Sequence, residues 1–230
     1  MKYLIKPLYL TVLWLLQATL SAHAQILIDD FNSYTNGGSI GTTASSLPWS
    51  RSGVITTSGI TGTSDSNGGI AAAYNVNFAL GAAGTAGTIK YTFGTTQDLT
   101  LNNDIKMDFK VSSSLPDTIV VAQISNGVTT YQTTLSQSLT NTTYSTYSFI
   151  FDTTTTTKTA GTDSLSTVLA GTQSVYFRFS NSSGTGSQSI RFDNFIATAI
   201  PEPRNVGLSL CAAMLLLFAI SQKFAWNRSN

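Results

Sequence analysis

The side chains best suited to nucleophilic catalysis and to binding zinc are almost missing from this 230-residue chain. It has one histidine, His23, one cysteine, Cys211, and one glutamate, Glu202. All three lie in terminal segments, outside the central part of the chain from Gln25 to Ile200. A Ser-His-Asp or Cys-His arrangement therefore cannot be built there. Zinc sites made of His and Cys are excluded, and no disulfide can form within the chain.

The carboxylates of the central part are all aspartates, because Glu202 lies outside it. Glycoside hydrolysis needs two carboxylates that face one cleft. A pair of aspartates would satisfy that need, but none of these aspartates lies in a recognisable catalytic motif. We therefore predict that the protein is not an enzyme, and we keep an Asp-based glycoside hydrolase only as a third hypothesis.

Charged residues make up 10% of the chain, well below the quarter that is typical of soluble domains. Ser, Thr, Gly and Asn take their place, a composition typical of exported β proteins and adhesins. Aspartates outnumber Lys and Arg in the central part, so that part is mildly acidic. Nucleic acid binding needs a concentrated basic face, and we exclude nucleic acid as a partner.

Aromatic rings are the side chains that would stack on sugars. Trp49 is the one tryptophan of the central part, and Tyr34 precedes it. We consider both as a carbohydrate-binding site, with Asn, Asp or Arg bonding the sugar hydroxyls. The alternative is that Trp49, directly after a proline at the end of a sandwich, fills the core. Further tyrosines that could join a sugar site are Tyr74, Tyr131, Tyr144 and Tyr176.

Alternation of apolar and polar residues predicts that β-strands position these side chains. The segment 105–111 alternates in this way, and so do the segments around Phe149, Phe177 and Phe192. Because Ile196 fits the last of these patterns, we expect it to share a face with Phe192.

Turns separate the predicted strands. Asn126-Gly127 predicts a two-residue hairpin, and Ser164 to Ala170 predicts a short helix capped by Ser164 and ended by Gly171. About ten strands with little helix predict an all-β fold, an antiparallel β-sandwich of the jelly-roll type. A β-helix is the alternative, but no fixed internal repeat supports it.

Residues 1–24 are predicted to be a secretory signal peptide. Lys2 and Lys6 precede an apolar stretch from Leu8 to Leu16, and Ala22-His23-Ala24 matches a cleavage site. An uncleaved membrane anchor is the alternative.

Residues 201–230 follow with Pro201-Glu202-Pro203, an apolar run from Val206 to Ile220, and a tail with Lys223 and Arg228. Neither proline can donate to a β ladder. The apolar run predicts a single transmembrane helix that leaves the basic tail in the cytoplasm, although it is short against the ~20 residues of a stable span.

This order resembles the PEP-CTERM sorting signal of Gram-negative bacteria, in which Pro201, Glu202 and Pro203 would be the sorting motif. The resemblance implies processing by an exosortase, a membrane enzyme. It also implies a cell-envelope location, with anchorage at the C-terminus or release into the extracellular matrix. The family usually has a tight Arg cluster where Lys223 and Arg228 are separated here. A plain single-span anchor is therefore the alternative.

The central part opens with Asp29-Asp30-Phe31 and closes with Phe192-Asp193-Asn194-Phe195. This pairing resembles the first and last strands of secreted jelly rolls, including several carbohydrate-binding modules. The resemblance implies that the two strands lie side by side and share a structural calcium ion. Asp30 and Asp193 are the candidate ligands, with Asp29 and Asn194 as alternates. The alternative is that these residues form local turns.

Together these patterns predict a signal peptide (1–24), a β-sandwich outer domain (25–200) and a sorting and anchor segment (201–230). The leading hypothesis is a non-catalytic exported surface or matrix protein, since PEP-CTERM systems accompany exopolysaccharide and biofilm formation. The alternative is a lectin similar to carbohydrate-binding modules, with structural calcium and an extracellular polysaccharide as partner.

Overall fold

The alternating apolar residues of the central part form antiparallel β-strands in the computed structural model. The structure describes residues 25–34, 48–53, 55–60, 74–80, 86–111, 118–181 and 186–199. All of them belong to one compact unit, Gln25–Ala199. Thirteen strands and one short helix lie within the described residues, and every strand pairing among them is antiparallel.

Six of the described strands form the first sheet. They are β1 (Ile26–Asp29), β3 (Ile55–Ile60), β4 (Tyr74–Leu80), β6 (Asp104–Val111), β10 (Ser145–Ile150) and β13 (Gly186–Thr198). Their order is β10-β6-β13-β4-β3, and β1 also pairs with β13. The first and last strands therefore lie side by side, as expected from the jelly-roll resemblance.

Seven described strands form the second sheet. They are β2 (Trp49–Gly53), β5 (Ala86–Gln97), β7 (Thr118–Ser125), β8 (Thr130–Thr133), β9 (Gln137–Ser138), β11 (Thr156–Ala160) and β12 (Thr172–Asn181). Their order is β11-β8-β7-β12-β5-β2, and β9 also pairs with β7. We call these two layers the six-stranded and the seven-stranded sheet. Together they form the predicted β-sandwich.

Phenylalanine rings fill the space between the two sheets. Phe109 of β6 contacts Phe177 and Phe179 of β12, with both pairs of ring centroids 5.8 Å apart in edge-to-face geometry. Phe192 of β13 packs beside Phe109 at 6.1 Å. All four rings are buried, and edge-to-face contacts are a favourable arrangement for aromatic pairs. The alternation seen in the sequence thus marks the core.

The predicted short helix is present as α1 (Leu165–Ala170). The Ser164 hydroxyl oxygen accepts the backbone N–H of Thr167, which satisfies one of the free donors of the first turn. Gly171 follows the last helical residue and its N–H donates to the carbonyl of Val168. Leu165, Val168 and Leu169 are buried, so the helix contributes one apolar side to the core.

The hairpin predicted at Asn126-Gly127 is present between β7 and β8, but its loop has four residues, 126–129, instead of two. Ser125 and Thr130 are the last paired residues before the loop. The Asn126 side-chain oxygen accepts the backbone N–H groups of Val128 and Thr129, at 3.1 and 2.8 Å. These local bonds give two backbone N–H groups of the loop an acceptor, so they stabilise a four-residue loop in place of the predicted two-residue turn.

A β-bulge changes the phase of alternation in β13. The register with β6 shifts between Asp193 and Ile196, and Asn194 has a positive φ of 51°. As a result Phe195 and Ala197 are buried, while Ile196 lies opposite the exposed Leu27 of β1. The expectation that Ile196 shares the buried face of Phe192 was wrong, because an extra residue at a bulge moves later side chains to the other face.

The predicted signal peptide, sorting motif and transmembrane helix lie outside the described residues. Within the described part of the chain, no helix is both long and apolar enough to span a membrane.

Replacing Phe177 with Ala is expected to lower the free energy of unfolding by about 3–5 kcal/mol, because it leaves a cavity among the stacked rings. Urea titration of the full-length protein, followed by circular dichroism, measures this loss. Arg178→Ala is the matched control, since Arg178 is the next residue of β12 and is exposed. The control should stay within about 0.5 kcal/mol of the wild type. Equal losses in both variants would contradict the assignment of the two faces.

Candidate functional site

Trp49 lies at the start of β2 and is completely buried, with 0% of its surface exposed. Its ring stacks on Phe31 at a centroid distance of 5.4 Å and meets the edge of Tyr91 at 5.0 Å. Phe195 also packs against it, at 5.7 Å. A ring with no exposed face cannot stack on a sugar, so Trp49 fills the core. The interpretation of Trp49 as a sugar-binding residue is corrected accordingly.

Asp29 is the polar centre of this aromatic cluster, and its residue surface is only 8% exposed. Its Oδ2 atom accepts the indole N–H of Trp49 at 2.8 Å and the hydroxyl of Tyr34. Its Oδ1 atom accepts the backbone N–H of Phe31 at 2.8 Å. One carboxylate therefore ties the end of β1, the turn after it and the start of β2 together. Tyr34, the second candidate sugar residue, is half-buried and uses its hydroxyl in this network.

Burial raises the pKa of Asp29 above its ordinary value, and this effect outweighs the hydrogen bonds from Tyr34, Phe31 and Trp49, which lower that pKa. Burial and the adjacent Asp29 carboxylate also raise the pKa of the Tyr34 phenol. Tyr34 is therefore a neutral hydrogen-bond donor at physiological pH. The cluster has a structural role, because it links β1 to β2.

The four candidate calcium ligands have different hydrogen-bond partners. Both carboxylate oxygens of Asp29 accept protein donors. Asp30 lies at an exposed turn and accepts the N–H of Asn32 at 3.0 Å. Asp193, only 1% exposed, accepts the backbone N–H of Asn194 at 2.8 Å.

The fourth candidate, Asn194, donates its side-chain amide to Asp108 at 2.8 Å. Across the described ranges, no three His, Cys, Asp or Glu residues are grouped so that they could hold a metal ion. Calcium at Asp30 and Asp193 stays a prediction.

A different set of residues forms a row across the outer face of the seven-stranded sheet. Tyr176 of β12 lies opposite Lys90 of β5 on one side and Gln123 of β7 on the other. The register continues from Lys90 to Ser50 and from Gln123 to Gln132 and Thr157. We call these residues the Tyr176 row; they are Ser50, Lys90, Tyr176, Gln123, Gln132 and Thr157.

The middle of the Tyr176 row lies on the outer face because its neighbours along β12 and β7 face the core. Val175 and Phe177 on either side of Tyr176 are buried, as are Ala122 and Ile124 on either side of Gln123. Six strands spaced about 4.8 Å apart give the row a length of about 24 Å. It is a polar strip with one aromatic ring near its middle.

Two contacts hold the middle of the row. The Lys90 ammonium nitrogen lies 5.2 Å from the centroid of the Tyr176 ring, within the range of a cation–π interaction. The side-chain amide of Gln123 donates to the side-chain oxygen of Gln132 at 2.7 Å. Each amide group carries donors and an acceptor, so the strip can both donate to and accept from a ligand rich in hydroxyls.

Sequence reasoning named Tyr176 only as one of several tyrosines that could join a sugar site. Its alternation with Val175 and Phe177 was enough to place it on the outer face. Its neighbours Lys90, Gln123 and Gln132 were missed, because they come from other strands and only the pairing register brings them together.

No protein-family model matches the sequence, and no curated protein is similar to it. Solved structures are similar in fold. The family 11 carbohydrate-binding module from Clostridium thermocellum, in complex with a beta-1,3-1,4-mixed-linked tetrasaccharide, matches with a TM-score of 0.52 and 16% identity. The match covers 78% of this chain and 98% of the module. An agarase, AgWH50C, matches with a TM-score of 0.51 and 8% identity, over 77% of this chain and 25% of the agarase. The central part therefore has a β-sandwich fold like that of carbohydrate-binding modules.

Asp29→Asn is expected to change how stability depends on pH. A carboxyl whose pKa is raised by folding binds its proton more tightly in the folded state, so its ionisation destabilises the fold as pH rises through the folded pKa. The asparagine variant cannot ionise. The unfolding free energy of the wild type minus that of the variant should therefore decrease as the pH rises from about 4 to neutrality. Urea titrations at several pH values measure this difference.

Asp98→Asn is the control, and its effect on stability should depend on pH in the opposite direction. The hydroxyl and backbone N–H of Thr100 donate to Asp98 and lower its pKa. The unfolding free energy of the wild type minus that of Asp98→Asn should therefore increase as the pH rises from the acid range. A wild-type advantage over Asp29→Asn that also rises with pH would mean that burial does not dominate at Asp29.

Proposed function

We propose that the central domain is a non-catalytic glycan-binding module, and that the Tyr176 row holds the glycan. The observation that carries this proposal is the row itself: one half-exposed aromatic ring flanked by amide, hydroxyl and ammonium groups, in register across six strands. This favours the carbohydrate-binding alternative over a structural protein without a ligand.

The chemistry of a sugar chain matches such a strip. A pyranose ring has a face of C–H bonds that packs on an aromatic ring, and hydroxyls around its edge that both donate and accept hydrogen bonds. Gln123 and Gln132 offer donors and acceptors on one side of Tyr176. Lys90 and Ser50 lie on the other side. The strip of about 24 Å is long enough for several sugar units in a row.

The fold supports the proposal. The structure of the similar family 11 module contains a bound tetrasaccharide, so a β-sandwich of this kind is a suitable scaffold for holding an oligosaccharide. At 16% identity the support from the module lies in the fold, and the support for the binding residues lies in the Tyr176 row of this chain.

The outer face of the six-stranded sheet gives no support for hydrolysis. Asp104 pairs with Lys106 at 3.2 Å and also accepts the hydroxyl of Ser148. Asp108 accepts the hydroxyl of Thr146 at 2.5 Å and the side-chain amide of Asn194. Both carboxylates are buried and bond residues of their own and adjacent strands, whereas a glycosidase needs two carboxylates that face one cleft.

The proposal includes export of the module from the cell. Export through the signal peptide and sorting through Pro201-Glu202-Pro203 would bring it to the envelope or the extracellular matrix. An exosortase would be its processing partner, and the exopolysaccharide found there would be a natural ligand. The support for this part is the sequence pattern alone.

Tyr176→Ala is expected to weaken glycan binding about tenfold, which corresponds to about 1.4 kcal/mol, because the stacking ring is lost. Affinity gel electrophoresis of the full-length protein in polysaccharide-containing gels measures the change. Tyr144→Ala is the matched control, because Tyr144 also lies under a lysine ammonium, that of Lys110 of the other sheet, at 5.5 Å from its ring centroid. Equal weakening in both variants would contradict binding at the Tyr176 row. A wild-type protein that binds no polysaccharide in a broad panel would contradict the proposed function as a whole.

The intact mass of the protein recovered from its host tests the sorting proposal. A chain that ends near Pro201–Pro203, found in the envelope or the culture fluid, is expected. A chain that continues to Asn230 in the membrane fraction would instead indicate a permanent single-span anchor without exosortase processing.

A further inference from the structure

Charge is divided unequally between the two sheets. The described strands of the seven-stranded sheet contain no acidic residue and four basic ones, which are Arg51, Lys90, Lys158 and Arg178. The described strands of the six-stranded sheet contain four aspartates and three basic residues; these are Asp29, Asp104, Asp108, Asp193, Lys106, Lys110 and Arg191. A central domain that is mildly acidic as a whole therefore has one sheet that is basic.

Two of the four basic residues face outward beside Tyr176. Lys90 lies directly opposite Tyr176, and Arg178 is two residues further along β12, on the same face. Lys90 and Arg178 are thus diagonal neighbours on adjacent strands, a relation in which Cα atoms lie about 7–8 Å apart. Both cations stand next to the one aromatic ring of the Tyr176 row.

Neither cation is neutralised within the described residues. Arg178 is exposed and forms no ion pair or hydrogen bond with them, and Lys90 contacts the Tyr176 ring but no carboxylate. The other two basic residues lie on the edge strands, where Lys158 donates to the carbonyl of Thr162 at 3.0 Å and Arg51 to the carbonyl of Ile55. Arg51 is in register with the buried Ile89, and Lys158 with Tyr131, so neither belongs to the outward-facing positions around Tyr176. In the described strands, the positive charge beside Tyr176 is therefore that of Lys90 and Arg178.

We infer that the glycan held by the Tyr176 row is anionic, a polysaccharide that carries carboxylate or sulfate groups. This inference rests on the proposed function and specifies its ligand class. The Lys90 ammonium lies over the Tyr176 ring and Arg178 is two residues away on the same face of β12, so a sugar that contacts Tyr176 has two cations beside it. A guanidinium binds a carboxylate or sulfate through two parallel hydrogen bonds, and an ammonium adds a point charge. Because the described strands of this sheet contain no acidic residue, they offer no carboxylate that would repel such a ligand.

The test compares four polymers on the full-length protein at the same salt concentration. Polygalacturonate carries carboxylates, dextran sulfate carries sulfates, mixed-linked β-glucan is neutral, and single-stranded DNA is a polyanion without sugar stacking surfaces of this kind. Affinity gel electrophoresis or calorimetry gives the dissociation constants. We expect one of the two anionic glycans to bind at least tenfold more tightly than the neutral glucan, and which of them does so identifies the anion.

Paired variants separate this site from general charge attraction. The double variant Lys90→Gln/Arg178→Gln is expected to lose at least tenfold in affinity for the anionic glycan and to show a weaker dependence on salt. The control Lys106→Gln/Lys110→Gln removes the same charge from β6 of the other sheet and should keep affinity within twofold.

Each of the following outcomes would contradict the inference, and each for a different reason. Tight binding of the neutral glucan that is lost in Tyr176→Ala but kept in Lys90→Gln/Arg178→Gln would overturn the anionic ligand and leave the proposed function intact. Equal losses in both double variants, or equal binding of single-stranded DNA, would reduce the effect to unspecific charge attraction. No binding to any of the glycans would overturn the proposed function itself.

Discussion

The edge-to-face packing of Phe109 on Phe177 and Phe179 joins the two sheets, and the rest of the domain depends on it. With one cysteine in the chain no internal disulfide can contribute, so cohesion comes from the buried apolar core to which these rings belong. The same strand that supplies Phe177 to the core presents Tyr176 and Arg178 to solvent. Residues along β12 therefore alternate between the core and the candidate binding face. The packed core residues fix the position of the outward-facing ones.

Asp29 adds a specific polar link to this apolar framework. Its carboxylate, at the end of β1, accepts donors from Phe31 and Tyr34 of the following turn and from Trp49 at the start of β2. Burial disfavours the charge, but the three donors satisfy its oxygens, so the link joins the six-stranded sheet to the seven-stranded sheet. Its role also explains why Trp49 is unavailable to a sugar: the indole N–H is committed to Asp29 and both ring faces are covered.

The seven-stranded sheet combines features that make sense together at a glycan surface. A row of amides and hydroxyls suits a ligand with many hydroxyl groups, and a single aromatic ring gives it a place to stack. Two cations beside that ring, on a sheet whose described strands have no acidic residue, favour a ligand of negative charge.

The sequence by itself determined the fold class, the short helix at Ser164 to Ala170 and the outward direction of Tyr176, because each follows from periodicity or capping within one segment. It also showed that residues 25–200 contain no histidine, cysteine or glutamate. Tertiary structure decided the rest. The burial of Trp49 depends on Phe31 and Asp29, which precede it by many residues. The bulge at Asn194 reversed the face of Ile196. The Tyr176 row arises only from the pairing register of six strands, and register is a long-range property that no single segment encodes.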